Sequence, residues 1–137
     1  MFDNVTNKDD ARRQQIITEN GGVFGNGIET DRGYDLKYYS GLNVEGLELL
    51  LKEGFADPEE RQNCAPSIQD IYEFMQQCPG FTAHGYIVTP DRNDYRVSIE
   101  GVECGDYSMS DLKLFASLFH DADDFTVEDG YLYCWYD

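Results

Sequence analysis

Two turn sequences in the second half of the chain constrain its fold most, because each lies between segments that alternate as β-strands do. The turns are Pro90-Asp91-Arg92-Asn93, between residues 81–89 and 94–102, and Glu128-Asp129-Gly130, between residues 124–127 and 131–136. Pro, Asp, Asn and Gly favour chain reversal for separate steric reasons. Asp-Gly between alternating segments is the strongest short signal for a hairpin. We therefore expect two β-hairpins.

Each hairpin follows a segment with the pattern of a capped helix. Ser67 and Ser108 are each followed by an Asp three residues later, a variant of the capping box, and then by apolar residues at helical spacing. Asn43 and Gly54 bound another such helix. From Ser67 the order is α-β-β-α-β-β. This order predicts a single α+β domain, an antiparallel sheet of about four to six strands built from hairpins, with about three helices packed on one face.

The first 42 residues give weaker patterns. Residues 6–20 can form a helix, but its apolar face is thin. The glycine-rich segment 21–27 lacks the spacing and the lysine of a phosphate-binding loop, so it predicts a mobile turn. Residues 34–39 alternate as a strand. We expect residues 1–42 to be a loosely structured arm with a short hairpin, and residues 43–137 to be the compact core.

The strong acidity of the chain is its main indication of function. The 137 residues include 27 acids and 10 bases, a formal net charge of −17. A small soluble domain needs a net charge of only about 2–8, and the excess destabilises the compact state by self-repulsion. Nucleic acids and anionic membranes bind basic patches. The charge therefore argues against direct binding to either and favours a basic protein partner.

Acids and aromatic residues are concentrated towards the end of the sequence, where residues 98–137 contain ten acids and one base. The last strand segment has aromatic or apolar residues on both faces, so one face is core and the other is an interface or a second packing layer. Aromatic residues anchor interfaces, and charges steer association. The predicted partner-binding residues are Glu100, Glu103, Asp106, Asp111, Asp121, Asp123, Asp124, Glu128, Asp129, Tyr131, Tyr133, Trp135 and Tyr136.

Patterns typical of catalysis or metal binding are missing from the sequence. The four cysteines are far apart, and the two histidines, His84 and His120, are isolated. Zinc sites use closely spaced Cys and His pairs, and a catalytic thiol needs an adjacent oriented base. We expect no catalytic residue, no metal and no cofactor, and we expect His84 either on the outer face of its strand or paired in a polar contact. The polar N-terminus and the lack of long apolar runs predict a cytoplasmic protein.

In composition the chain resembles DNA-mimic inhibitors, which are small, very acidic proteins of phages and mobile elements that block restriction enzymes or CRISPR effectors. Carboxylates on one strand face lie ~6.6 Å apart, near the ~6.8 Å between alternate phosphates of a nucleic-acid strand. We therefore hypothesise a non-enzymatic inhibitor that occupies the basic surface of a nuclease or CRISPR effector. The alternative is a small acidic accessory or structural protein with acidity only for solubility, either as a monomer or as a homodimer through its aromatic strand.

Overall fold

The computed structural model describes residues 7–30 and 33–137. Over these residues the chain forms four helices and six strands, and the strands make one antiparallel sheet in the order β1-β2-β3-β4-β6-β5. The predicted single α+β domain is confirmed. In chain order the elements are α1 (Asp10–Glu19), β1 (Val23–Thr30), β2 (Gly33–Leu42), α2 (Val44–Lys52), α3 (Ile68–Gln77), β3 (Thr82–Val88), β4 (Val97–Cys104), α4 (Met109–Phe119), β5 (Asp124–Glu128) and β6 (Tyr131–Trp135).

Polar side chains fix the starts of the helices, because each accepts a hydrogen bond from an otherwise unpaired amide of the first turn. The N-caps predicted for α2, α3 and α4 are confirmed as Asn43, Ser67 and Ser108. Asp9 caps α1, accepting from the amide of Arg12. This helix begins later than the sequence pattern indicated, and the earliest predicted start, at residue 6, lies outside the described residues.

Both predicted hairpins form, β3 with β4 and β5 with β6. The second hairpin joins the sheet through its second strand, since Glu103 pairs with Tyr133 and Cys104 pairs with Leu132. The aromatic strand β6 consequently lies inside the sheet, between β4 and β5.

The first part of the chain belongs to the same sheet and core, in contrast to the loose arm expected for residues 1–42. Strands β1 and β2 extend the sheet, and Arg13, Ile16 and Ile17 of α1 are fully buried. Most of the glycine-rich segment 21–27 lies in β1 and is not a turn. A Cβ atom at Gly27 would overlap the carbonyl oxygen of Leu36 on β2, so this strand needs glycine where it approaches its neighbour closely.

The helices pack on one face of the sheet. Residues from all four helices share one core cluster with Ala83, Val102 and Leu132 of the strands. Phe115 of α4 stacks on Phe125 of β5 at 5.1 Å between ring centroids. Within the described ranges, no helix combines the length and the apolar character that crossing a bilayer requires. The opposite, helix-free face of the sheet is where the aromatic side chains of β6 lie.

Candidate functional site

The helix-free face carries a row of aromatic residues between two rows of acids. Residues paired across an antiparallel sheet share a face, and the register pairs Glu103 with Tyr133, Trp135 with Asp124, and Tyr131 with Glu128. Neighbouring strands are ~4.8 Å apart, so the acids of β4 and β5 form rows about 10 Å apart. We call this surface the acidic–aromatic face; its residues are Glu100, Glu103, Asp124, Glu128, Tyr131, Tyr133 and Trp135.

A β-bulge brings both glutamates of β4 to this face. His84 of β3 pairs with Gly101 and the next residue, Gly85, pairs with Ile99, which leaves Glu100 as the extra residue. With strict alternation, Glu100 and Glu103 would lie on opposite faces, because their spacing is odd. The apolar residues of β4 before and after the bulge all face the core, while both carboxylates lie on the helix-free face.

His84 lies on this face, as the sequence predicted, but it is buried. Its ring stacks on Tyr133 with 5.0 Å between centroids and an interplanar angle of 5°. The stack crosses Gly101, where a Cβ atom would come within 2.8 Å of His84 Nε2. Among residues 7–30 and 33–137, neither ring nitrogen finds a hydrogen-bond partner. Burial lowers the pKa of His84 and outweighs the nearby Glu103 charge, which raises it, so the ring is neutral at pH 7.

A solvent-open cleft of about 390 Å³ crosses this face from β2 to β6. Tyr38, His84, Glu100, Glu103 and Trp135 are among its lining residues. Glu100 is half-buried, and burial raises the pKa of its carboxyl group, an effect opposed by a hydrogen bond with the Trp135 side chain and reinforced by the charge of Asp137. The Tyr131 hydroxyl donates to Glu103 Oε2 at 3.0 Å. The cleft therefore combines carboxylates with aromatic surfaces.

The ion pairs of the described chain are made by acids outside this face. Five arginine and lysine side chains form ion pairs elsewhere: Arg12, Arg13, Lys52, Arg92 and Arg96. Lys113, the one base after residue 97, belongs to α4 on the opposite side of the sheet. Among the described residues, none of the acids on the acidic–aromatic face is in an ion pair. Their negative charge is left for solvent or a partner.

The structure brings together some of the predicted partner-binding residues and separates the rest. Asp111 completes the capping box of α4, and the hydrogen bond that it accepts from the backbone amide of Ser108 is the main reason that its pKa is lowered. Tyr136 is buried, and its hydroxyl donates to Asp121 at 2.7 Å. Asp123 accepts from the amide of Asp137 at 2.8 Å. These four predicted residues therefore make local structural contacts outside the face.

Asp106 and Asp129 are exposed in loops at one end of β4, β5 and β6.

The sequence pattern identifies neither Tyr38 nor His84 as a residue of the cleft. It predicts the outer face for His84, but no role there. The glycine at 101 was the available signal, since a glycine inside a strand often marks a bulge or a close approach.

No known protein family, curated protein or solved structure matches the chain. In the part of the chain that the structure describes, no three His, Cys, Asp or Glu side chains are grouped as ligands of a metal ion. The interpretation of the acidic–aromatic face therefore depends on its own geometry and charge.

Proposed function

We propose that the protein is a non-enzymatic inhibitor that binds a basic nucleic-acid-binding protein, such as a nuclease or CRISPR effector. In this proposal the acidic–aromatic face occupies the surface that the partner uses for nucleic acid. The observation that carries it is the aromatic row between two rows of acids that have no ion-pair partner among the described residues. Such a surface supplies anchoring by the rings and steering by the charges.

The spacing of the acids supports competition with nucleic acid. Asp124 and Glu128 bound β5 and lie about 13 Å apart along the strand. Phosphates along one nucleic-acid strand are ~3.4 Å apart, so these acids match the spacing of every fourth phosphate. Arginine side chains that hold phosphates bind carboxylates with the same bidentate geometry. A basic channel would thus find partners for its arginines on this face.

The geometry favours this function over the alternative of a homodimer formed through the aromatic strand. Two copies joined face to face by a twofold axis would bring rows of acids close to rows of acids. Like charges opposed across an interface cost several kcal/mol, an order-of-magnitude figure. A partner of opposite charge avoids this repulsion, so we favour binding to a basic partner over a homodimer.

The test is capture from a lysate of the host at low salt on the immobilised protein, with elution by a salt ramp and, separately, by duplex DNA. We expect a nucleic-acid-binding protein that both treatments release, because its binding is electrostatic and its site is shared with DNA. A captured protein that ignores both salt and DNA would overturn the proposal, as would an empty capture.

A pair of matched variants locates the surface. Asp124→Asn with Glu128→Gln removes two charges from the face, whereas Glu19→Gln with Glu73→Gln removes two exposed charges from α1 and α3. We expect the first pair to weaken capture and the second to leave it unchanged. Equal losses would mean that net charge alone attracts the partner, and would contradict a specific face.

A further inference from the structure

The cleft on the acidic–aromatic face has flat aromatic sides. Tyr133 and Trp135 are half-buried there, and the Tyr38 side chain is 44% exposed. The His84–Tyr133 stack adds a planar surface of two rings. Cations are attracted to the faces of such rings, and a guanidinium group can also stack on them.

Two carboxylates of the same strand lie in this cleft, and no arginine or lysine of the described residues pairs with either of them. Glu100 is half-buried beside the Trp135 indole, and burial disfavours its charged form. Glu103 has one hydrogen bond in the described structure, from Tyr131 to Oε2, so Oε1 is free to accept. A bound cation would stabilise the ionised form of Glu100. The neutral ring of His84 does not repel such a cation.

We propose that this cleft binds an arginine side chain of the partner, with the guanidinium group on the aromatic surface and hydrogen-bonded to Glu103 and Glu100. The inference rests on the proposed function and specifies the chemical group that is recognised. Arginine fits better than lysine because its planar fork matches a carboxylate and stacks on rings, whereas a lysine ammonium is a compact and strongly hydrated charge.

Trp135 is the single tryptophan of the chain and lines the cleft, so its fluorescence reports on the occupant. The probe is the peptide acetyl-Gly-Arg-Gly-amide, titrated at constant ionic strength with EDTA present. The matched peptides carry lysine, which keeps the charge, or citrulline, which keeps the shape without the charge. We expect saturable binding of the arginine peptide, binding of the lysine peptide weaker by about threefold or more, and no binding of the citrulline peptide.

Variants of the cleft test which acids are used. Glu103→Gln and Glu100→Gln should each weaken binding of the arginine peptide by about tenfold, the usual loss for a charge-assisted hydrogen bond. Glu73→Gln, on the helix side, is the charge-matched control and should change nothing. Far-UV circular dichroism confirms that each variant is folded. Equal binding of the citrulline peptide, or full binding by both cleft variants, would overturn the inference.

Because a peptide can bind without changing Trp135 fluorescence, each peptide is also titrated with amide chemical shifts as the readout. The absence of a saturable response in both measurements refutes the arginine site. If the peptide fails while the captured partner is still displaced by DNA, the arginine site fails and the proposed function stands. If the peptide binds but no basic partner is captured, the arginine site stands and the proposed function fails.

Discussion

Arg13 connects α1 to the β3–β4 hairpin, and its replacement by methionine should destabilise the whole domain. The side chain is fully buried. Its guanidinium group donates to Asp10 at 2.8 Å, to the Val88 carbonyl at 2.8 Å and to the Arg96 carbonyl at 3.2 Å. It also lies over the ring of Tyr95, 4.3 Å from the centroid. Methionine keeps the apolar stem and removes every one of these contacts.

The expected loss follows from what remains after the substitution. Removing one partner of a buried ion pair costs about 3–5 kcal/mol, because the other charge is left uncompensated. Asp10 is 23% exposed, so water relieves part of this cost. The two carbonyls each lose a donor, at about 1 kcal/mol apiece. We therefore expect a loss of about 3–4 kcal/mol in the free energy of unfolding, which lowers the Tm by roughly 10 °C for a domain of this size.

The assay is urea denaturation followed by Trp135 fluorescence, with Arg12→Met as the control. Arg12 is the neighbouring arginine and pairs with Glu53, but both side chains are about one-third exposed, at 34% and 31%. Exposed pairs contribute little to stability, so the control should unfold close to the wild-type midpoint. Equal effects of Arg12→Met and Arg13→Met would refute the reasoning from burial.

Three further predictions concern the acidic–aromatic face. Glu100→Gln should raise stability at pH 7, because burial raises the pKa of the Glu100 carboxyl and its ionisation destabilises the fold as pH rises; denaturation at pH 4 should show no difference. Gly101→Ala should cost about 3 kcal/mol or more in the same assay, because the added methyl group would overlap the backbone carbonyl of Cys134 on β6 and would also crowd His84. Burial and the hydrogen bond to Glu103 raise the pKa of Tyr131 to about 12, and burial with the hydrogen bond to Glu48 raises the pKa of Tyr72 to about 12 as well, so the ultraviolet absorbance change near pH 12 should shrink in Tyr131→Phe without disappearing; stability linked to Tyr131 should fall as pH rises from 10 to 12, because the unfolded tyrosine ionises first.

The elements that the sequence predicted well are those set by local chemistry. Ser67 and Ser108 satisfy amides within three residues of themselves, whatever the rest of the chain does. The turn Glu128-Asp129-Gly130 acts in the same way, with Gly130 at a φ of 73° that glycine adopts readily. Such signals need no knowledge of tertiary contacts.

The parts that the sequence did not predict depend on contacts between distant residues. β1 contains glycines that disfavour a strand, but pairing with β2 overrides that preference. The thin apolar face of α1 suggested loose docking because Arg13 counts as polar, whereas the two carbonyls that accept its hydrogen bonds belong to residues more than 70 positions away. The insertion of β6 between β4 and β5 has no local signal at all.

The candidate site was predicted in part for the same reason. Alternation correctly separated Tyr131, Tyr133 and Trp135 from the core residues of β6. Strict alternation would put Glu100 and Glu103 on opposite faces, and the bulge that unites them depends on the pairing of His84 with Gly101 across two strands. Charge alone does not show which acids have a structural role. Some cap helices or accept a hydrogen bond from Tyr136, whereas others face solvent beside the rings.

Carboxylate footprinting tests most directly whether the acidic–aromatic face is the docking surface. The captured complex and the free protein are labelled with a carbodiimide and an amine, and the label on each acid is measured by mass spectrometry. We predict that labelling of Glu103, Asp124 and Glu128 falls in the complex, while Glu19 and Glu73 keep their label. Unchanged labelling of the three face acids, with protection at Glu19 or Glu73 instead, would contradict the proposed function.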